Sequence, residues 1–236
     1  MLPLLPIFAK LAEPENWPDL KLRIRQGLLL AACTMLPLGA LMIVLSVPIV
    51  QVIYERGAFK QDATQLVSSL LVAYGIGMFA YLGRDVLVRV FYALGDGTTP
   101  FRISIFNILL NAVLDYFFVQ PFGAPGLVLA TVGVNCSSML MLLWLLDRKL
   151  NGLPWREWSL PILGLTGSSI IAGVVSYGTL FGCQQLLGTK GVVIQLIELS
   201  IAGFVGLVVF GAIASLMKIP ELNTFVVRMG QRFLKK

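Results

Sequence analysis

Apolar residues come in six long runs along this chain, separated by short polar segments. A transmembrane helix needs about 20 predominantly apolar residues, and each run is about that long. The runs cover residues 27–53, 64–93, 101–119, 125–146, 160–182 and 192–217. No segment between them is long enough to form a separate domain. The pattern therefore predicts an all-α, polytopic integral membrane protein with about six transmembrane helices.

The two ends of the chain differ from these runs. Residues 1–12 are apolar but too short to cross a bilayer, and we expect them to be the tail of a truncated transmembrane helix. Residues 218–236 alternate apolar and basic positions, which is typical of an amphipathic tail on a membrane surface. Within the first run, Pro37 and Pro48 interrupt the helical hydrogen-bond ladder, and residues 46–59 are predicted to form a break and then a short helix.

Composition agrees with a membrane protein. Hydrophobic residues make up 57% of the chain and charged residues 13%, against about 25% charged in soluble domains. The chain has no histidine, which excludes Ser-His and Cys-His nucleophile pairs and histidine metal sites. The three cysteines lie far apart within apolar runs, and we interpret Cys33, Cys136 and Cys183 as packing residues.

Basic residues are unevenly divided between the two sides of the predicted membrane. All but three of the 18 lysines and arginines fall on the side that holds both chain ends; the exceptions are Arg56, Lys60 and Lys190. By the positive-inside rule the richer side is cytoplasmic. Membrane topology therefore accounts for the net charge of +6, and nucleic-acid binding is not predicted.

A glycine-rich turn, FYALGDGTTP at residues 91–100, joins the second and third runs. Gly95, Asp96 and Gly97 are strong turn formers, and Pro100 favours the start of the next helix. A phosphate-binding loop would need a lysine followed by Ser or Thr after its second glycine. Because that lysine is absent, the sequence predicts a tight cytoplasmic turn instead.

Ionisable residues lie inside the second run, in the sequence GRDVLVR at residues 83–89. Such groups are costly in lipid and usually face a cavity or one another. Asp85 and Arg89 have the spacing of a helical ion pair. Two interpretations are open: a local ion pair near the interface, or cations, including Arg84, that line a cavity for an anionic substrate.

A polar stripe follows on the third run, where Asn107, Asn111 and Asp115 share one helical face. Thr131 on the fourth run can approach the same height. These side chains could form interhelical hydrogen bonds, or their oxygens could bind a small cation. Glu198 is the single acidic residue of the last run and has no partner that the sequence identifies.

Several segments together resemble the lipid II flippases of the MurJ/MviN family. They are LPIFAKLA at 5–12, ERGAF at 55–59, YGIGMFAY at 74–81 and RVFYALGDGTTP at 89–100. The chain departs from the family at one point, because the family commonly has Asp-Thr where this chain has Asp96-Gly97.

The resemblance implies a fourteen-span exporter of the multidrug/oligosaccharidyl-lipid/polysaccharide superfamily, with two lobes around a cationic cavity. Such proteins move the undecaprenyl-pyrophosphate-linked peptidoglycan precursor across the bacterial cytoplasmic (inner) membrane. Residues 13–146 would belong to the second lobe, and residues 147–217 would form two extra helices. The implied partners are lipid II, membrane lipid and an N-terminal lobe that this chain lacks. Two alternatives are a related exporter for another polyprenyl-linked substrate or a drug, and a non-transporting membrane scaffold.

The resemblance also implies roles for particular residues. Lys10 matches an arginine of the cavity mouth, and we expect it to bind substrate together with Arg84 and Arg89. Asn111, Asp115 and Thr131 match a sodium site whose further acidic ligand would come from the absent lobe. The signature turn consists of Phe91, Tyr92, Asp96, Thr98, Thr99 and Pro100. No enzymatic activity and no other cofactor are expected.

Overall fold

The computed structural model describes residues 8–54, 61–188 and 191–217, and these residues form seven α-helices and no strand. The helices are α1 (Trp17–Val44), α2 (Ser46–Tyr54), α3 (Gln61–Ala93), α4 (Thr98–Phe122), α5 (Ala124–Lys149), α6 (Trp155–Leu187) and α7 (Val192–Leu216). All except α2 are long and apolar enough to cross a membrane. The predicted all-α, six-span membrane architecture is confirmed.

The first predicted span, 27–53, is divided differently in the structure. Helix α1 begins at Trp17, because Pro18 suits a first helical turn and Asp19 favours the positive end of the helix dipole. Pro37 lies inside α1 without ending it. The helix instead breaks at Leu45, and the short helix α2 follows with Pro48 in its first turn. The break and the short helix agree with the prediction, whereas Pro37 interrupts nothing.

Helices α1 and α3 form the centre of the bundle. Helix α1 packs against α3 and α6, and α3 packs against α5 as well. Helix α7 lies mainly against α6, and α2 bridges α3 and α7. Helix α4 packs mainly against α5, so that most of its surface faces away from the described residues. The result is a bundle in which α4 is the most weakly attached span.

The largest apolar core lies at one end of this bundle. It joins the first turns of α1 with the last turns of α3 and α5, through residues such as Leu20, Phe91 and Leu146. The starts of α4 and α6 contribute Ile103 and Trp158. We call this the basic end, because every lysine and arginine among the described residues lies in the half of the bundle next to it. These are Lys10, Lys21, Arg23, Arg25, Arg84, Arg89, Arg102, Arg148, Lys149 and Arg156.

The last helix also ends in this half of the bundle. Ser168 Oγ lies 3.7 Å from the Met217 sulfur, so the end of α7 is next to the first half of α6. A separate apolar cluster occupies the opposite end, where Leu45, Leu180 and Ala202 meet. The two ends therefore differ in charge, as the sequence predicts for a protein that crosses a membrane.

Candidate functional site

The signature turn is a helix stop followed at once by a helix start. Gly95 has a φ of 73°, and two hydrogen bonds close the end of α3: Gly95 N–H to Tyr92 O at 3.1 Å and Asp96 N–H to Phe91 O at 2.9 Å. This is a Schellman motif, in which glycine takes the left-handed position. Asp96 then accepts a hydrogen bond from the Thr99 N–H at 3.0 Å and caps α4.

The Asp96 carboxylate also ties the turn to α5. Its Oδ2 accepts hydrogen bonds from Lys149 Nζ at 2.6 Å and from the Thr99 hydroxyl at 2.8 Å, and Oδ1 accepts one from the Thr98 hydroxyl at 2.9 Å. Burial would raise the pKa of Asp96, but the hydrogen bonds from Lys149, Thr99 and Thr98 outweigh it and hold this pKa well below its ordinary value. The turn is thus an electrostatic junction between three helices and not an anion-binding loop.

The remaining turn residues fall into two groups. Phe91 is buried in the core of the basic end, and the Lys149 ammonium lies 5.8 Å from its ring centroid. Pro100 is also buried, in the first turn of α4. Tyr92 is exposed. Phe91 and Pro100 therefore anchor the turn, and Tyr92 is free to contact something beyond the described residues.

The charged residues of α3 lie one to three turns before this junction. Arg89 donates a hydrogen bond to Asp85 at 2.7 Å, which confirms the predicted ion pair. Arg84 is half-buried, and its Nε atom is buried without a hydrogen-bond partner among the described residues. A buried, unpaired donor on a cation is costly. Arg84 therefore has unused capacity to bind an anion, whereas Arg89 is partly neutralised by Asp85.

Lys10 lies at the same end of the bundle. It is exposed and follows Phe8, a fully buried residue of the basic-end core to which Val90 and Phe91 also belong. Packing of Phe8 and Leu11 against this core fixes the backbone around Lys10. Lys10, Arg84 and Arg89 therefore share one end of the bundle, and Lys10 makes no hydrogen bond or ion pair with a described residue.

The polar stripe of α4 divides between two roles. Asn107 is buried and donates a hydrogen bond to Ser138 of α5 at 2.6 Å, so the interhelical interpretation holds for this residue. Asn111 and Asp115 are half-buried and make no hydrogen bond or ion pair with a described residue. Asp115 lies in the second half of α4, and because an unpaired carboxylate within a span is costly, it is a candidate functional position.

Thr131 lies at the same height on α5. Before Thr131 in the chain, Gly126 allows α4 and α5 to approach closely, because a methyl group there would overlap the Phe118 carbonyl oxygen. On the other side, a methyl group on Gly133 would lie 3.1 Å from Leu114 Cδ1. The Thr131 side chain is exposed, and its hydroxyl donates to Leu127 O of its own helix at 3.1 Å. Its hydroxyl lone pairs remain available as ligands.

Two polar features were not predicted from the sequence. The sequence places Lys149 among the cations of the predicted cytoplasmic side and indicates no partner for it. Its partner Asp96 lies 53 positions away in the chain, and a single sequence does not indicate which distant residues meet. Ser138 is the buried partner of Asn107, and one hydroxyl in an apolar run gives no sign of its partner.

Other predictions lie outside the described residues. They concern the ERGAF segment at 55–59, the tail at 218–236, part of the segment 1–12 and the far-side residues Arg56, Lys60 and Lys190.

Comparison with known proteins gives a consistent result. The family model described as lipid II flippase MurJ matches residues 1–201. A Synechocystis protein named probable lipid II flippase MurJ is 49% identical over 99% of this chain and 44% of its own length. A Rhizobium tropici protein of the same name is 31% identical over 70% of this chain and 32% of its own length. The chain thus spans less than half the length of these relatives.

A solved structure shows the same fold. It is named lipid II flippase MurJ, inward closed conformation, and it matches with a TM-score of 0.70 and 25% identity over 89% of this chain and 41% of its own. The family model, the relatives and the solved structure all match this chain, and all three carry the same family name. On these grounds, the chain belongs to the lipid II flippase MurJ family.

Proposed function

We propose that this chain forms the second lobe and the two extra helices of a flippase for lipid II, the undecaprenyl-pyrophosphate-linked peptidoglycan precursor. The observation that carries the proposal is Arg84, a cation inside a membrane span whose buried Nε has no partner among the described residues. A guanidinium presents its donors in a fork that matches phosphate oxygens. The pyrophosphate of the substrate would supply the acceptors that the protein does not.

The basic end gives a route for the headgroup. Lys10 is exposed at the basic end, and on α3 Arg89 lies between the signature turn and Arg84. We expect the pyrophosphate to be attracted first by the exposed cations and then to bind Arg84, where burial strengthens the interaction. The apolar polyprenyl tail would remain in the membrane beside α6 and α7.

Transport requires a second body against which this bundle can move. We propose that a first lobe, in the part of the relatives beyond the matched region, closes the cavity and that the two lobes rock to give alternating access. Helix α4, most of whose surface faces away from the described residues, would present that surface to the first lobe.

A cation would couple to this movement at Asn111, Asp115 and Thr131. Carboxylate, amide and hydroxyl oxygens suit a hard ion such as sodium. Asp115 is the single acidic residue of α4, and the resemblance implies a further acidic ligand from the other lobe. Binding of the ion would then link the positions of the two lobes.

We propose the bacterial cytoplasmic membrane as the location, with the basic end facing the cytoplasm. The support is the positive-inside rule applied to a bundle whose described cations all lie in one half.

The proposal is tested by fusing the first lobe of the Synechocystis relative to this chain and expressing the fusion in flippase-depleted cells. We expect the fusion to restore growth and to flip lipid II. Arg84→Gln should reduce the flipping rate about 10- to 100-fold, because a hydrogen bond to a charged group contributes about 1.5–3 kcal/mol. Arg23→Gln is the control, since Arg23 is exposed on α1 and donates to Gln26. Equal activity of the two variants would refute the role of Arg84.

Two further arms of the same experiment separate the alternatives. Residues 1–236 without the fused lobe should not restore growth, and rescue by this chain alone would contradict the two-lobe mechanism. Binding of lipid II should exceed binding of other polyprenyl pyrophosphates. The reverse order would identify a related exporter, and retention of growth in all binding-site variants would identify a scaffold.

A further inference from the structure

Helix α5 carries an exposed stripe that ends in a cation. Its outward-facing positions at four-residue spacing are Cys136, Leu140, Trp144 and Arg148. Leu140 is 66% exposed and Trp144 is 51% exposed. The stripe is apolar within the span, aromatic one turn from its end and positively charged at the end. This order matches the acyl chain, interface and headgroup layers of one bilayer leaflet.

The last two residues of the stripe are held together. The Arg148 guanidinium carbon lies 3.9 Å from the centroid of the Trp144 ring, a close cation–π contact. This contact holds the guanidinium against the exposed indole. Arg148 makes no hydrogen bond or ion pair with a described residue, so its N–H donors are unused among those residues.

The neighbouring charged groups are already engaged. Asp147 Oδ1 accepts hydrogen bonds from Leu153 N–H at 2.6 Å and Trp155 Nε1–H at 2.9 Å, which hold the loop between α5 and α6. Lys149 is paired with Asp96. Among the described residues, Arg148 therefore differs from both of its sequence neighbours in having no hydrogen-bond or ion-pair partner.

We propose that Trp144 and Arg148 form a binding site for the phosphate headgroup of an anionic phospholipid of the surrounding bilayer. The guanidinium would donate to the phosphate oxygens, and the exposed indole would pack against the glycerol region. One acyl chain would lie along Leu140 and Cys136. The charge of the site favours an anionic lipid over a zwitterionic one. This site is separate from the proposed flipping route, which uses Arg84 of α3.

The test is native mass spectrometry of the full chain in detergent, titrated with phosphatidylglycerol or phosphatidylcholine. We expect Arg148→Gln to weaken phosphatidylglycerol binding about fivefold, because one basic residue at the membrane surface contributes about that factor. Trp144→Leu should weaken it severalfold by releasing the guanidinium. Phosphatidylcholine binding should not change in either variant.

Arg156→Gln is the matched control, because Arg156 is an exposed arginine of the same end that has no cation–π contact with a described residue. Its effect should stay below twofold. Thermal unfolding without added lipid should be the same for all variants, which shows that they fold. Inorganic phosphate at millimolar concentration should not displace the lipid. Full lipid affinity in either stripe variant, or equal losses in Arg148→Gln and Arg156→Gln, would overturn the proposal.

Discussion

Asp96 shows how a single carboxylate can organise a membrane turn. It accepts hydrogen bonds from the backbone of Thr99, from two threonine hydroxyls and from Lys149. One side chain thereby starts α4 and fixes the end of α5 beside it. The FYALGDGTTP turn therefore has a structural role, and we propose Arg84, above it, as the residue that contacts the substrate.

Replacing Asp96 with asparagine tests this arrangement. Asp96→Asn keeps an acceptor oxygen but removes the charge that pairs with Lys149, so we expect a loss of about 1–2 kcal/mol in the free energy of unfolding. The midpoint of unfolding in detergent should fall by a few degrees. Glu13→Gln is the control, because Glu13 is exposed, lies before α1 and makes no side-chain hydrogen bond with a described residue; an equal shift in both variants would refute the junction.

The depressed pKa of Asp96 also predicts a dependence on pH. A carboxyl group whose pKa is lower in the folded state stabilises the fold above its unfolded pKa of about 4. That stabilisation is lost as the pH falls through the folded pKa. Unfolding midpoints of the wild type should therefore decrease below about pH 4. In Asp96→Asn this part of the decrease should be absent, and identical profiles would contradict the assignment.

Glu198, in the half of the bundle away from the basic end, differs from Asp96 in having a buried carboxylate oxygen without a hydrogen-bond partner among the described residues. The residue is 2% exposed on α7, and this oxygen is Oε1. An unpaired buried polar group destabilises a fold by about 1–3 kcal/mol. Glu198→Met, which keeps the side-chain length, should therefore raise the unfolding midpoint. Glu157→Met, at an exposed position of α6, should change it little. A lower midpoint in Glu198→Met would show that the carboxyl group has a stabilising partner.

At the scale of elements, the sequence predicts which segments are helices better than where they end. Run length identifies all six spans, because backbone groups in lipid must be satisfied within the helix. The apolar run places the start of the first span at residue 27, whereas the helix begins at Trp17. The difference arises because Lys21, Arg23 and Arg25 are helical but polar. Hydropathy detects the hydrocarbon layer, and helices continue beyond it.

The sequence predicts that α4 and α5, which are joined by a short turn, lie side by side, but it does not predict the other helix pairs. The Asp85–Arg89 pair follows from helical spacing alone, and it is present. The contacts of Asp96 with Lys149 and of Asn107 with Ser138 join distant segments, and they depend on how α5 packs against α3 and α4. Local rules therefore account for the turn and the ion pair, whereas the partners of the site residues come from tertiary packing.

The crossing of α1 and α3 depends on two glycines. A methyl group on Gly39 would lie 2.5 Å from the Gly75 carbonyl oxygen. We expect Gly39→Ala to destabilise the bundle by about 1–3 kcal/mol, because the backbones would have to separate. Gly178→Ala on α6, where nothing lies within 4 Å, should be neutral or stabilising. Unfolding in detergent measures both, and tolerance of Gly39→Ala would show that the crossing can relax.

At the scale of the whole molecule, the bundle has two chemically different ends. The basic end holds the large core, the signature turn and all the described cations, whereas α2 and the start of α7 form the other. Under the positive-inside rule, this difference in charge between the two ends sets the orientation in which the protein inserts into the membrane.

Cysteine accessibility tests the orientation. In a variant whose native cysteines are replaced, Glu157→Cys and Gln185→Cys place exposed thiols at opposite ends of α6. A membrane-impermeant maleimide added to intact cells should label position 185 and not position 157. Opening the membrane should expose position 157, and labelling in the reverse order would invert the proposed orientation.

The signature turn also bears on how the chain tolerates insertions. Only residues 94–97 separate α3 from α4, and the backbone of this turn forms its own hydrogen bonds with the helix ends. The two spans are thus joined almost without a loop, although α4 packs against α5 and hardly against α3. An inserted residue would rotate α4 about its axis and turn Asn107 away from Ser138, so this joint should tolerate insertions far less well than its exposure suggests.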